Sequence, residues 1–167
     1  MISVYCDGAS GAKSGRPGGY GWVAVRNSEV LLWGYGGSPA TSNNLMELQG
    51  GICGLEALFE TGLYPGDAVE LVSDSQYVLG MVTGAYHPTT NLEIVNKLRE
   101  LAARIPGLVC RWVRGHQGEK WNEACDHLAG LGKQENTLPG LRKPKVTRGT
   151  VRRDGRAAAL LLLRGKP

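Results

Sequence analysis

Four acidic residues occupy places where a carboxylate could do chemistry. Asp7 follows the alternating run Ile2 to Cys6, Glu47 falls in the first turns of a helical stretch, Asp74 closes the apolar run around Leu71, and Asp126 lies inside the last periodic segment. Neighbouring central strands would bring Asp7 and Asp74 together. Converging carboxylates repel one another and lose hydration, so a group of four is costly unless cations compensate it. Mg²⁺ is the natural compensator, a hard cation that prefers carboxylate, water and phosphate oxygens. Taken singly, each acid has a plainer role open to it: Asp126 could face solvent, and Glu47 could favour its helix N-terminus through the dipole.

The elements that must position these acids follow from periodicity. Ile2 to Cys6 alternates apolar and polar residues as a strand does, and delivers Asp7 at its end before a glycine-rich loop. YGWVAVRN and EVLLWGYGG are two further strands, with Asn27 and Ser28 between them as a hairpin turn. Leu45, Leu48, Ile52, Leu55, Leu58 and Phe59 recur at helical spacing, which predicts a helix from an N-cap at Ser42 or Asn43 to about Gly62. AVELVSDS is a fourth strand, followed by a short helix through Tyr77, Val78 and Met81 that ends before Gly84. A helix from about Leu92 to Arg104 stops at Pro106 and Gly107, LVCRWV is the fifth strand, and Asn122 to about Lys133 is the last helix. This order predicts an α/β fold with a mixed five-stranded sheet, three antiparallel strands plus parallel ones, flanked by helices. Gly18, Gly19 and Gly21 read as positions of close backbone packing, and Trp112 as a core residue.

A chain of 167 residues suits one domain with a full core plus an extension. Hydrophobic residues make up 42% and charged residues 20%, which excludes disordered and fibrous classes. The longest apolar stretch, Ala157 to Leu163, is far shorter than the roughly 20 residues a membrane span needs, so no membrane partner is expected. The start MISVYCDGAS lacks the basic and apolar regions of a signal, and a cytoplasmic location is the expectation. Cys6, Cys53, Cys110 and Cys125 have no zinc-type spacing and read as reduced packing residues. The net charge of +4 is unevenly spread: residues 1–132 carry 9 Lys/Arg against 13 Asp/Glu, residues 133–167 carry 10 against 2. A catalytic domain over residues 1–134 and a basic tail over 135–167 are therefore expected, with a hairpin about Asp154 and Gly155 as one candidate element in the tail.

The blocks YCDG, RPGGYGWV, TSNNLMEL, VSDSQYV, and WVRGHQG with WNEACDHLAG occur in that order over residues 5 to 130. Together they resemble the type 1 ribonuclease H family. The resemblance implies a ribonuclease H-like fold and an endonuclease that cuts the RNA strand of RNA·DNA hybrids, leaving 5′-phosphate and 3′-hydroxyl ends. It implies that Asp7, Glu47, Asp74 and Asp126 bind two Mg²⁺ ions, Mn²⁺ being the alternative cation, with Asp7 shared between them. One ion would activate the attacking water and the other would stabilise the leaving oxygen. His116 matches a histidine that assists proton transfer or product release, and Glu123 an accessory acid. Asn43, Asn44 and Gln76 match residues that reach the hybrid's minor groove, where 2′-hydroxyls mark RNA. Ser42 and Asn91 match positions that hold a DNA-strand phosphate, although capping alone would also explain Ser42. A monomer is expected.

Three departures from the family pattern stand out. Ser14 replaces an asparagine in the loop after Asp7, Ala40 replaces an arginine, and the connection MVTGAYHPTTN has no Lys or Arg where many bacterial members insert a basic handle. Phosphate neutralisation supplies most nonspecific nucleic-acid affinity, so the basic tail is the expected substitute for that handle. The rival readings are another two-metal nuclease on the same fold and a noncatalytic hybrid-binding module.

Overall fold

The computed structural model describes residues 1–11 and 13–135 in full and residues 145–148 by their backbone. β1 (Ile2–Ser10), β2 (Arg16–Arg26) and β3 (Glu29–Thr41) form an antiparallel meander. Asn27 and Ser28 make the β2–β3 turn at φ 51° and 64°, the left-handed pair that a tight hairpin requires. α1 (Asn43–Glu60) leads to β4 (Val69–Ser73), parallel to β1. α2 (Gln76–Thr83) and α3 (Leu92–Ala103) lead to β5 (Val109–Trp112), parallel to β4, and α4 (Lys120–Glu135) follows. These are the five strands of the expected mixed sheet. A sixth, β6 (Lys145–Arg148), comes from the tail and pairs antiparallel with β3, giving the order β5-β4-β1-β2-β3-β6. The hairpin expected near Asp154 lies outside the described residues.

Alternation decides which side chain meets which helix. Ile2, Val4 and Cys6 of β1 join the larger core under α1 and α3, whereas Tyr5 joins Val23, Val25 and Val72 in a second core under α4. Asp7 continues the Tyr5 side, the side on which α4 lies. Contrary to the expectation that it ends its strand, Asp7 sits within β1, because Gly8, Ala9 and Ser10 go on to pair with Tyr20, Gly19 and Gly18. Small residues carry no hydrophobic alternation, yet their backbones complete the ladder.

The glycines of β2 set the height of α4 above the sheet. A Cβ on Gly19 would strike the backbone of Ala129, Gly132 and Lys133, and one on Gly21 would strike Cys125 O and Ala129 N. Close packing is therefore their role, as the sequence suggested. All four cysteines are free, and Cys6, Cys53 and Cys125 are buried. No helix among the described residues is long and apolar enough to cross a membrane.

Candidate active site

The four acids arrive from four elements. Asp7 stands on β1, Asp74 just past β4, Glu47 in the second turn of α1 and Asp126 in the middle of α4. Gly8 admits Glu47, since a Cβ there would strike Glu47 N and approach Met46 C to 2.8 Å. Asp7 is 7% exposed. Burial pushes its carboxyl up to about 8; the charges of Asp74, Asp126 and Glu47 add to the rise, and the Gly8 N–H at 2.7 Å opposes it. Burial is the larger cause, and the three other carboxylates add like charge to it. Burial and the Asp74 charge raise Glu47 as well.

Polar neighbours fix the acids in place. Ser75 donates its hydroxyl to Glu47 Oε2 at 2.5 Å and accepts the Val78 N–H at 3.3 Å, so one side chain caps α2 and orients an acid of α1. Asn43 donates its amide to Glu47 Oε1 at 2.6 Å. Asn122, 2% exposed, donates to Asp74 Oδ2 at 3.1 Å. Gly115 leaves room for the same carboxylate, because a Cβ there would strike Asp74 Oδ2. Sequence reasoning missed Ser75 and Asn122. Ser75 carried a signal, a serine directly before an apolar helix, whereas Asn122 is told apart from a surface amide only by its burial.

Ser42 caps α1 through the Leu45 N–H at 3.4 Å and lines a polar cavity of about 280 Å³ with Asn43, Ser10 and Ser14. Asn44 and Gln76 are exposed, and Asn91 begins α3 at φ 58° with no side-chain cap bond. His116 is exposed at φ 53° on the loop after β5. Glu123 accepts the Gly118 N–H at 3.0 Å, which ties that loop to α4. Trp112 corrects an expectation: it is 50% exposed rather than core, because β5 is an edge strand, and its indole N–H donates to Asp74 O at 3.0 Å.

Among the described residues, no three His, Cys, Asp or Glu side chains close into a ready metal-binding group. Carboxylates that repel across a cleft need not. Mg²⁺ keeps several waters and is held by one or two carboxylates together with substrate phosphate.

Comparison with known proteins places this geometry. The RNase H family model matches residues 1–134. A ribonuclease H of Methylorubrum extorquens is 39% identical over 145 residues, 79% of this chain and 60% of that protein, so the chain spans less than two thirds of that relative. One from Saccharopolyspora erythraea is 36% identical over 148 residues, covering 80% of this chain and 91% of the other. Among solved structures, LC11-RNase H1, isolated from compost and determined in complex with an RNA/DNA hybrid, has a TM-score of 0.72 at 23% identity, covering 83% of this chain and all of that one. The fold, the ordered sequence blocks and the matched span agree: this chain belongs to the RNase H family, as a type 1 ribonuclease H.

Proposed function

We propose that the chain hydrolyses the RNA strand of RNA·DNA hybrids by two-metal catalysis, with Asp7, Glu47, Asp74 and Asp126 holding Mg²⁺. The observation that carries this reading is the buried Asp7 carboxyl faced by three other acids, a cluster whose charge bound cations would offset. The donor set suits the ion: every candidate ligand is a carboxylate oxygen, the hard donor that Mg²⁺ prefers over nitrogen or sulfur. When bound, such ions lower the pKa of the attacking water and neutralise charge on the phosphodiester and the leaving 3′ oxygen. Products then carry 5′-phosphate and 3′-hydroxyl ends. Mn²⁺ is the alternative cation.

The chain's own residues prepare the site. Ser75 and Asn43 hold Glu47 by both oxygens, and Asn122 holds Asp74 in the room that Gly115 leaves, so little reorganisation is left for the moment of reaction. His116, exposed on a loop that Glu123 tethers, is free to carry a proton between the site and solvent. Ser42 and Asn44 at the start of α1, Gln76 at the start of α2 and Asn91 at the start of α3 are the polar side chains that would contact the hybrid's groove and DNA-strand phosphate. Asn43 serves first as a positioning residue for Glu47.

All four acids come from one chain, so a monomer suffices. Free thiols suit a reducing compartment such as the cytoplasm. We assign the catalytic work to residues 1–134 and an electrostatic grip to the basic residues of 135–167.

Labelled RNA·DNA hybrid, duplex DNA and duplex RNA, each incubated with the full chain in Mg²⁺ and in EDTA, test the reading. Cleavage confined to the RNA of the hybrid and abolished by EDTA is expected. Cleavage of duplex DNA, or cleavage that survives chelation, overturns it.

A further inference from the structure

Cations in the catalytic domain are mostly committed to its own architecture. Arg26 pairs with Asp67 at 2.7 Å, Lys97 with Glu56 at 2.8 Å and Arg111 with Glu70 at 3.0 Å. Arg99 donates to the carbonyls of Met81 and Tyr86, Arg104 lies over the Phe59 ring and Lys120 over the Trp121 ring. Lys133 differs. It makes no ion pair among the described residues, is half-buried, and lines a cavity of about 490 Å³ that it shares with Asp126, His127, Gly130 and Ala9.

Helix geometry aims this lysine at the acids. Lys133 lies seven residues, about two turns, beyond Asp126 and therefore on the same face of α4. Helical side chains lean toward the N-terminus and cover the preceding turn, so the ammonium reaches back toward Asp126. The residue between them on that face is Gly130, and a Cβ there would meet nothing within 4 Å. A bare helix surface is thus left between a carboxylate and an uncommitted ammonium.

On the reading that this site cleaves hybrids, we propose that the α4 cavity seats a phosphodiester of the RNA strand next to the scissile one, anchored by Lys133. The occupant follows from charge and continuity. An ammonium beside a carboxylate cluster offers a phosphate the attraction that the acids withhold, and the cavity opens from Asp126 itself. Successive phosphates on one strand are about 3.4 Å apart along the duplex axis, so a strand whose scissile phosphate lies at Asp126 brings its neighbour within reach of a lysine on the same helix face. Lys133 is a positioning residue for the strand being cut.

The test uses the full chain with Mg²⁺ and labelled hybrid. Lys133→Gln should raise KM about fivefold, change kcat far less, and lower the slope of log KM against log salt by about one, as expected for one lost phosphate contact. Lys133→Arg should restore KM. Gly130→Met, which fills the seat with a better helix former, should raise KM while the melting temperature holds or rises. Hybrids carrying one methylphosphonate, a neutral linkage, at successive RNA positions should show a KM penalty at one position beside the cut, absent in Lys133→Gln. If Lys133→Gln keeps the wild-type KM, salt slope and methylphosphonate penalty, the proposal is wrong. A folded wild-type chain that leaves hybrids intact fails earlier, at the cleavage reading, and takes this proposal with it.

Discussion

Asp7 and Glu70 are both buried carboxylates on adjacent, parallel strands, 7% and 6% exposed, yet their surroundings drive them in opposite directions. Glu70 accepts two bonds from Arg111 at 3.0 Å and the Ser3 hydroxyl at 2.6 Å, and the guanidinium holds its carboxyl below the usual range. Asp7 has one backbone N–H and three acids, and its carboxyl rises to about 8. Two things differ although both are little exposed: Asp7 is the more deeply desolvated, and its neighbours are acids where Glu70 has a guanidinium. One carboxylate has its counter-charge built in and serves the fold. The other is surrounded by like charge, an arrangement that the proposed cations would relieve.

Removing each acid should separate these roles most sharply. Asp7→Asn should lower hybrid cleavage by roughly a thousandfold or more. In EDTA at pH 8.5 the same variant should be more stable than wild type by at least about 1.4 kcal/mol, the worth of one pKa unit. Urea denaturation checks this, and a destabilised variant would mean that Asp7 is a structural acid like Glu70. Glu70→Gln should do the reverse, costing about 1–3 kcal/mol because Arg111 loses its charged partner, with kcat unchanged.

The pH dependence should follow the same division. Asp7 has a folded value raised from 3.8 to about 8, so the stability tied to its proton is complete below 3.8 and is lost as pH rises through about 8. Metal-free protein should therefore weaken between pH 5 and 8.5, and Asp7→Asn should flatten that fall. Glu70 is lowered from 4.5, so its stabilisation is present above 4.5 and fades as pH falls through the folded value. Glu70→Gln should flatten only the acid limb. The smallest effect is expected from Ser75→Ala, which removes the α2 cap and one bond to Glu47. A loss of about 1 kcal/mol by thermal melting and a several-fold drop in kcat should follow, with KM little changed.

Much of this was legible in the chain because the elements announce themselves. The apolar stripe from Leu45 to Leu58, the Asn27-Ser28 turn and the stop at Pro106 and Gly107 each act locally, and α1, the hairpin and the end of α3 stand where they were expected. The four acids were legible as special places, and the structure brings them together. What alternation could not supply was context. Trp112 has the composition of a core residue, but β5 is an edge strand and leaves its ring half exposed. Gly8 to Ser10 have no side-chain pattern, so the continuation of β1 past Asp7 was invisible. Ser75 and Asn122 act across elements that are distant in sequence, and Lys133 gains its meaning only from the helix face it shares with Asp126.

β6 lies along Leu32 to Tyr35 of β3 and occupies hydrogen-bonding groups at one edge of the sheet. A chain shortened before Lys145 would lose this strand together with the tail's positive charge. The bared edge would offer a template to any free strand, including the same edge of another molecule. Such a truncation would tend to self-associate, and its slower turnover could reflect crowding between proteins as easily as weaker hold on nucleic acid. Charge reversal at the lysines and arginines beyond 148, with β6 retained, separates the two effects: the proposed grip would be lost while the edge stays covered.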